Sequence, residues 1–330
     1  MPSPTILVTG GTGAIGVVLV QYLLRKTSSR IVNLDVMTYC SNHKPDLFKC
    51  PSDRYKHYRI DLCDFDAIMR IFKDEKPYFV FHLAAETHVD NSFIDAFTFT
   101  MTNTIGTHVL LEVMRLTKCV KRFIHMSTDE VYGSVNVPAK ETDPLKPSNP
   151  YSASKAAAEM LVEAYVKSFK LPVVVVRCNN AISPFQYPEK LIPKTIKLIM
   201  NKQKVPIQGT GESRRTFIDA TDIARALWVC ATVGTDGEIY NIGSNNEYSV
   251  LEVVKEIIRQ IHLIDGEIQL DHYVEFVEDR PFQDSRYLVN WEKITNLGWK
   301  PTISFQESIA ICIDTYFIDN DLIKKLKSNT

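Results

Sequence analysis

The chain is predicted to be an α/β protein: a doubly wound parallel sheet over roughly residues 1–180, with a smaller C-terminal lobe over 181–330. Three observations predict it. Short apolar runs alternate with segments of helical spacing from Thr5 to Arg177. The first of these runs leads directly into a glycine-rich turn. Beyond Arg177 the alternation loosens, and Pro184, Pro188 and Pro193 mark loops.

In chain order, Thr5–Thr9 is a short apolar strand, followed by Gly10-Gly11-Thr12-Gly13-Ala14-Ile15-Gly16 and an apolar-periodic helix through Leu24. Ile31–Leu34 is a second strand ending in Asp35, and Tyr55–Ile60 a third closed by Asp61. Asp64–Asp74 has helical spacing. Tyr78–Leu83 is a fourth strand, running into Ala84-Ala85-Glu86-Thr87-His88. A long helix covers much of Phe97–Leu116, and Arg122–Met126 is the fifth strand. Tyr151–Ser168 is a helix that starts just after Pro150, a residue suited to a first helical turn. Pro172–Arg177 is the sixth strand. Phe217–Asp219 and Ile239–Ile242 read as brief returns to the sheet, so the two domains are expected to interleave near 217–245. Val250–Ile261 and Phe305–Phe317 are amphipathic helices.

Composition narrows the function classes. The 330 residues are 45% hydrophobic, enough for a sizeable core, and the net charge of −1 leaves no basic surface for nucleic acid. The longest apolar runs, such as Leu171–Val176, are far too short to cross a bilayer. Met-Pro-Ser-Pro precedes the first strand and leaves no room for a signal core. Seven cysteines lie scattered without a CxxC pair, which suggests a reducing compartment and buried thiols rather than a disulfide frame. A soluble cytoplasmic protein is the expectation.

The glycine run fits G-x-x-G-x-x-G through Gly10, Gly13 and Gly16, and G-x-G-x-x-G through Gly11, Gly13 and Gly16. Glycines allow a tight turn and close approach to a pyrophosphate, which then sits on a helix N-terminus. Alone the motif is weak. Here it lies between strand and helix, with Asp35 about twenty residues on to accept a ribose 2′-hydroxyl. The carboxylate would repel a 2′-phosphate, so NAD is expected over NADP. This is a Rossmann-like arrangement.

A second cluster is Met126-Ser127-Thr128-Asp129-Glu130-Val131-Tyr132-Gly133, at the carboxyl end of the fifth strand, where open α/β sheets hold ligands. A third is Tyr151 and Lys155, four apart and so on one helix face. A phenol titrates near pH 10 and is a poor base at neutral pH; a nearby ammonium and a cationic nicotinamide both favour its phenolate. In isolation, a Tyr/Lys pair at this spacing is usually a surface pair. Behind a nucleotide loop it is a candidate catalytic pair.

These pieces together resemble the extended short-chain dehydrogenase/reductase family, which has a Rossmann domain and a lobe that binds a nucleotide-sugar. Ser127-Thr128-Asp129-Glu130-Val131-Tyr132-Gly133 looks like the signature of its nucleotide-sugar 4,6-dehydratases. His82–Asp90, Pro188–Pro193 and Arg280-Pro281 through Arg286-Tyr287 agree, and the resemblance spans nearly the whole chain. It implies bound NAD, held by Gly10, Gly13, Ala14, Ile15, Gly16, Asp35, Asp61, Leu62, Leu83, Ala84, Ala85, Thr102, Tyr151 and Lys155. It implies that Tyr151 takes the sugar O4 proton while NAD takes the C4 hydride, that Thr128 hydrogen-bonds O4, that Glu130 removes the C5 proton and that Asp129 protonates the departing C6 hydroxyl. The need for one acid and one base is independent of the resemblance, because water leaves across C5 and C6 only when a ketone at C4 has acidified C5.

By the same resemblance Thr87, Thr128, Asn180, Lys190, Leu191, Arg215, Asn241 and Arg280 are candidate substrate contacts; a diphosphate suits guanidinium and ammonium groups. Relatives usually carry Tyr-Gly-Pro where this chain has Ile182-Ser183-Pro184, so the wall beside the nicotinamide is expected to differ. Thr87–Phe93, Arg122–His125 and Arg280–Phe282 are most similar to the dehydratase part of eukaryotic-type UDP-rhamnose synthases. That implies UDP-glucose as substrate, with dTDP-glucose as the alternative. A separate epimerase/reductase would then finish a rhamnose-type sugar. An epimerase or decarboxylase of the same fold, and a non-catalytic NAD-binding protein, remain open; the Asp129-Glu130 pair argues against the first two, and retention of all five catalytic residues against the last. A homodimer is expected, because the helices around Phe97–Leu116 and Tyr151–Ser168 carry apolar residues beyond one stripe: Phe97, Phe99, Met101, Met160, Val162 and Tyr165.

Overall fold

The computed structural model describes residues 4–42, 47–48, 50–51, 53–264, 266–279 and 282–328, with side chains through Phe317. Its strands are β1 Thr5–Thr9, β2 Arg30–Asp35, β3 Tyr55–Arg59, β4 Phe79–His82, β5 Arg122–Thr128, β6 Val173–Cys178, β7 Asn180–Ile182, β8 Val205–Gln208, β9 Arg214–Asp219, β10 Ile239–Ile242, β11 Glu247–Ser249 and β12 Val274–Val277. The helices are α1 Ala14–Lys26, α2 Phe65–Glu75, α3 Val89–Ile94, α4 Ala96–Phe99, α5 Gly106–Thr117, α6 Pro150–Phe169, α7 Leu191–Met200, α8 Ala220–Val233, α9 Val250–His262, α10 Glu292–Thr295 and α11 Phe305–Ser328. A π-helical stretch, Thr100–Ile105, joins α4 to α5, so the predicted long helix is one run with a widened turn inside it.

Seven strands form one parallel sheet in the order β3-β2-β1-β4-β5-β6-β10. The order reverses between β1 and β4, which opens a crevice at the strands' carboxyl ends. Alternation along β1 explains the layers: Ile6 and Val8 face α1 and α8, while Leu7 faces the layer of α2, α5 and α6. Leu19, Leu23, Ile223 and Leu227 fill the first side, and Ile68, Phe72, Leu110 and Val162 the second. β6 is buried along its whole length, as expected of a parallel strand covered on both faces.

One expectation changes. Ile239–Ile242 does return to the main sheet, as β10 beside β6. Phe217–Asp219 does not: it lies in β9, between β7 and β11 in a separate three-stranded sheet. The reason is local. β10 fills the edge next to β6, and β7 leaves the main sheet just after β6 and offers its own edge to β9. The C-terminal lobe has its own core, in which Ile182, Ile196, Phe217, Val253, Ile257, Phe305 and Ile309 pack together. No helix among the described residues is long and apolar enough to cross a membrane.

A buried ion pair sets the position of α6. Arg177 on β6 contacts Glu159 on α6 at 2.7 Å, with both side chains about 4% exposed. Ser127 donates its hydroxyl proton to the same carboxylate, and Tyr132 donates to Asn241 while accepting from Arg177. Charges so deeply buried persist only when paired and hydrogen-bonded in this way. The network ties the end of β5 and the neighbouring β6 to the middle of α6.

Candidate active site

A cleft of about 750 Å³ lies at the carboxyl ends of β1, β4, β5 and β6 and continues into the C-terminal lobe. One end of it is lined by the glycine loop, through Gly10, Gly13 and Gly16. Gly10 has φ +71°, and a Cβ there would stand 2.7 Å from the Ala84 backbone; one on Gly16 would stand 2.0 Å from the Gly10 carbonyl. Neither position admits a side chain. Gly13 caps α1 without a side-chain cap, and the first turn of α1 carries no acid. Backbone N–H groups at such an end favour an anion. Gly13, Ala14, Ile15, Asp35, Asp61, Leu62, Leu83, Ala84, Ala85 and Thr102 all line this part of the cleft. The cradle therefore fits a dinucleotide.

Asp35 is tied more tightly than expected. Its carboxylate accepts from Thr12 N at 3.1 Å, from the Thr12 hydroxyl and from Met37 N at 2.9 Å, while still lining the cleft. Asn33, which sequence reasoning missed, accepts from Gly11 N at 2.8 Å. A polar residue within the buried strand β2 was the available signal.

The candidate catalytic residues come from β5 and α6. Thr128 ends β5 and caps the short 3-10 turn Asp129–Tyr132, its hydroxyl accepting from Glu130 N at 3.2 Å. Asn149 caps α6 in a reciprocal box with Ser152, and Pro150 occupies the first turn. This fixes Tyr151 and Lys155 one turn apart. Tyr151 is 8% exposed and hydrogen-bonds Thr128; burial first, then the Glu130 carboxylate, push its phenol well above its ordinary value. Lys155 donates to the Met126 carbonyl at 2.7 Å, and burial pushes its ammonium down to about 8. The ammonium is thus directed at the strand end and not at the phenol, and activation of Tyr151 needs further positive charge in the cleft.

The two carboxyls differ. Glu130 lines the cleft, receives Asn149 Nδ2 at 3.4 Å and the Tyr287 hydroxyl at 3.5 Å, and has its pKa raised chiefly by burial, against the pull of Arg215. Asp129 stands behind the cleft wall, 1% exposed, and burial with the neighbouring Glu130 raises it to about 7. Two carboxyls in different settings, Glu130 lining the cleft and Asp129 buried with its pKa raised to about 7, suit separate base and acid roles. Asn149, Asn179 and Tyr287 were not singled out from the sequence, although Asn149 stands two residues before Tyr151.

A family model described as GDP-mannose 4,6 dehydratase matches residues 7–312. The chain belongs to the GDP-mannose 4,6 dehydratase family. It is 42% identical over 313 residues to the dTDP-D-glucose 4,6-dehydratase of Bos taurus, covering 94% of this chain and 88% of that protein. It is 41% identical over 316 residues to a trifunctional UDP-glucose 4,6-dehydratase/epimerase/reductase of Arabidopsis thaliana, covering 94% of this chain and 46% of that protein. Among solved structures it is similar to the dTDP-glucose 4,6-dehydratase DesIV of Streptomyces venezuelae with NAD bound, at TM-score 0.89 and 32% identity, covering 96% of this chain and 98% of that one.

With the dehydratase family established, the remaining candidates can be placed. Thr87, Asn180, Lys190, Leu191 and Arg215 line the cleft beyond Tyr151. Lys190 donates to the Thr87 carbonyl at 2.8 Å, and Arg215 lies over the Tyr287 ring at 4.5 Å. Asn241 is a correction. It is fully buried, donating to the Ala139 and Asn290 carbonyls at 3.0 Å each and accepting from Tyr132 at 2.9 Å. Its place inside β10 turns it beneath the 133–141 loop, so it staples that loop and does not meet the cleft. Arg280 and Pro281 lie outside the described residues.

The departure from the family's Tyr-Gly-Pro also has a structural answer. Ile182 is buried in the C-terminal core, and Ser183, 1% exposed, donates to the Ala14 carbonyl at 2.9 Å and accepts from Phe185 N at 3.2 Å. Asn42 adds a second tie, donating to the Thr12 and Phe185 carbonyls at 3.0 Å each. The serine joins the C-terminal lobe to the glycine loop.

Proposed function

We propose that this protein is an NAD-dependent hydro-lyase, UDP-glucose 4,6-dehydratase, producing UDP-4-keto-6-deoxyglucose. The observation that carries this is the convergence of Thr128, Glu130, Tyr151 and Lys155 on one cleft, between a glycine cradle and the cations Lys190 and Arg215, with Asp129 directly behind. NAD, when bound, supplies the acceptance of hydride from C4 and its return to C6. Tyr151 takes the O4 proton while Thr128 orients O4. Glu130 removes the C5 proton, Asp129 protonates the C6 oxygen as it leaves as water, and Glu130 returns a proton to C5. The substrate loses one water and undergoes no net redox change. Lys190 and Arg215 hold the diphosphate.

The test is incubation with UDP-glucose and mass spectrometry of the sugar nucleotide. Loss of one water supports the reading. An unchanged mass favours an epimerase or a non-catalytic protein, and loss of carbon dioxide from a uronic acid favours a decarboxylase.

The choice of base rests on the resemblance to UDP-rhamnose synthases; the bovine relative's name supports dTDP-glucose instead. The far end of the cleft includes Val205, Pro206, Val250 and Val277, an apolar wall that would accept a thymine methyl without penalty. A methyl is worth about 1–3 kcal/mol at most in such a pocket. Both nucleotides are therefore expected to turn over; the resemblance assigns the higher kcat/KM to UDP-glucose, while the apolar wall, which would bury a thymine methyl, works against it and keeps the difference below the ~10–200-fold that a methyl can carry. Side-by-side kinetics with a clear dTDP preference would overturn the base assignment and leave the reaction class standing.

The reading includes a soluble cytoplasmic homodimer and a separate epimerase/reductase downstream. Phe99 and Val162 turn out to be buried in the protomer and contribute nothing to an outer face, but Phe97 and Met160 are 73% and 56% exposed. Leu116 and Phe169 add to the exposed apolar surface of the same helices, and Ile94 at the end of α3 is exposed as well. Light scattering at micromolar concentration is expected to give twice 37.6 kDa; a monomer mass rejects the dimer.

A further inference from the structure

The groups that face the cleft do not include the acid that the reaction needs. Asp129 is 1% exposed, and the cleft-lining side chain that hydrogen-bonds its carboxyl is Asn179, itself 4% exposed. We propose that Asn179 is the positioning residue of the dehydrating acid, holding the Asp129 carboxyl at the wall in both of its protonation states. This rests on the 4,6-dehydratase reading.

Three features carry the proposal. First, Asn179 is firmly placed. It sits between β6 and β7, and its backbone N–H donates to the Ile242 carbonyl of β10 at 3.0 Å. Second, Asn179 Nδ2 donates to Asp129 Oδ2 at 2.7 Å, a charge-assisted bond when the carboxyl is ionised. The other carboxyl oxygen has the Thr128 hydroxyl at 3.2 Å. Third, Asn179 Oδ1 is buried and has no hydrogen-bond partner. It faces Gly243, where a Cβ would come within 2.5 Å of it. A buried acceptor left empty is unfavourable, and native structures seldom keep one without a use.

An amide is suited to this position because it carries a donor and an acceptor. It donates through Nδ2 to the carboxylate. After a half-turn about χ2 it accepts through Oδ1 from the carboxylic acid. Asp129 must pass between these forms in each cycle: its proton goes to the C6 oxygen as the C6–O bond breaks, and the carboxylate is reprotonated afterwards. Asn179 neither gains nor loses a proton. Gly243 leaves the room in which the amide can turn. The charged and titratable groups around Asp129 are Glu130 on its own turn, Arg215 on β9, Tyr151 on α6 and Cys178 on β6. The Asn179 bond favours the ionised form against the burial and the Glu130 charge that disfavour it.

The test compares Asn179→Leu and Asn179→Ser with the unmodified enzyme, each carrying bound cofactor. Single turnovers with UDP-glucose and dTDP-glucose are followed by the absorbance of reduced cofactor, and by mass spectrometry for water loss. Asn179→Leu is expected to reduce cofactor at the unmodified rate but to lose water on the order of ten- to a hundredfold more slowly. Its water-loss step should keep its activity to higher pH, because removing the donor raises the Asp129 pKa and keeps the acid protonated. Asn179→Ser, with a hydroxyl that can both donate and accept, should recover part of the rate. Equal slowing of both steps with an unshifted pH profile, or unchanged water loss, would overturn the proposal. If Asn179→Leu fails to fold, the same comparison on Asn179→Ser decides it. An unmodified enzyme that reduces no cofactor with either sugar nucleotide defeats the dehydratase reading itself, a separate outcome.

Discussion

Glu130→Gln is expected to reduce bound cofactor on adding substrate and then to stall, with water loss slowed by roughly 10²–10⁴-fold. The glutamine keeps the size of the side chain and can still meet Asn149 and Tyr287, which lie at 3.4 and 3.5 Å. What it loses is the ability to take the C5 proton. Burial holds the Glu130 carboxyl above its ordinary range, which makes it a stronger base than an exposed glutamate. In the proposed mechanism the oxidation at C4 depends on Tyr151, and it should proceed. Stopped-flow absorbance of the reduced cofactor reads this directly. Loss of that signal with substrate binding intact would reject the division of labour between Tyr151 and Glu130.

Tyr151→Phe is expected to remove the first step, so no reduced cofactor forms and the overall rate falls by about 10²–10⁴-fold or more, with substrate still bound. The ring is packed, edge-on to Phe99 with centroids 6.2 Å apart, so phenylalanine retains the packing and loses only the hydroxyl. The phenol's pKa gives a second measurement. Burial and the Glu130 carboxylate both raise it, so the oxidation step should speed up as pH rises toward the phenolate. In Glu130→Gln that negative charge is gone. The phenol pKa falls, and the acid limb of the oxidation rate should move to lower pH. An unmoved limb would mean that the two side chains do not share an electrostatic environment. If Tyr151→Phe still forms reduced cofactor at the unmodified rate, another group takes the O4 proton.

The sheet was legible because its signal is local. Buried parallel strands such as β6 carry continuous apolar runs, here Val173–Val176, and the helices between them repeat every three to four residues. The glycine loop was legible for a similar reason: close backbone approach excludes every side chain at Gly10 and Gly16, so chemistry at those positions is written in residue type. Tyr151 and Lys155 share a face by spacing alone. The candidate site as a set of residues was therefore mostly readable, from Gly10 to Arg215.

What the tertiary structure decided was which polar groups face the cleft and which face each other. Asn241 is a plausible substrate contact by position, yet the fold turns it under a loop 102 residues earlier, where it meets Ala139. Phe217–Asp219 has the composition of a sheet strand, but the edge that it would have taken belongs to β10. Glu130 is bounded by Tyr287, 157 residues away, and Asp129 by Asn179, 50 residues away. A periodic pattern encodes the environment of a residue within a few positions of its own helix or strand. A hydrogen bond between segments this far apart follows from where whole elements come to rest, and short-range patterning carries no record of it.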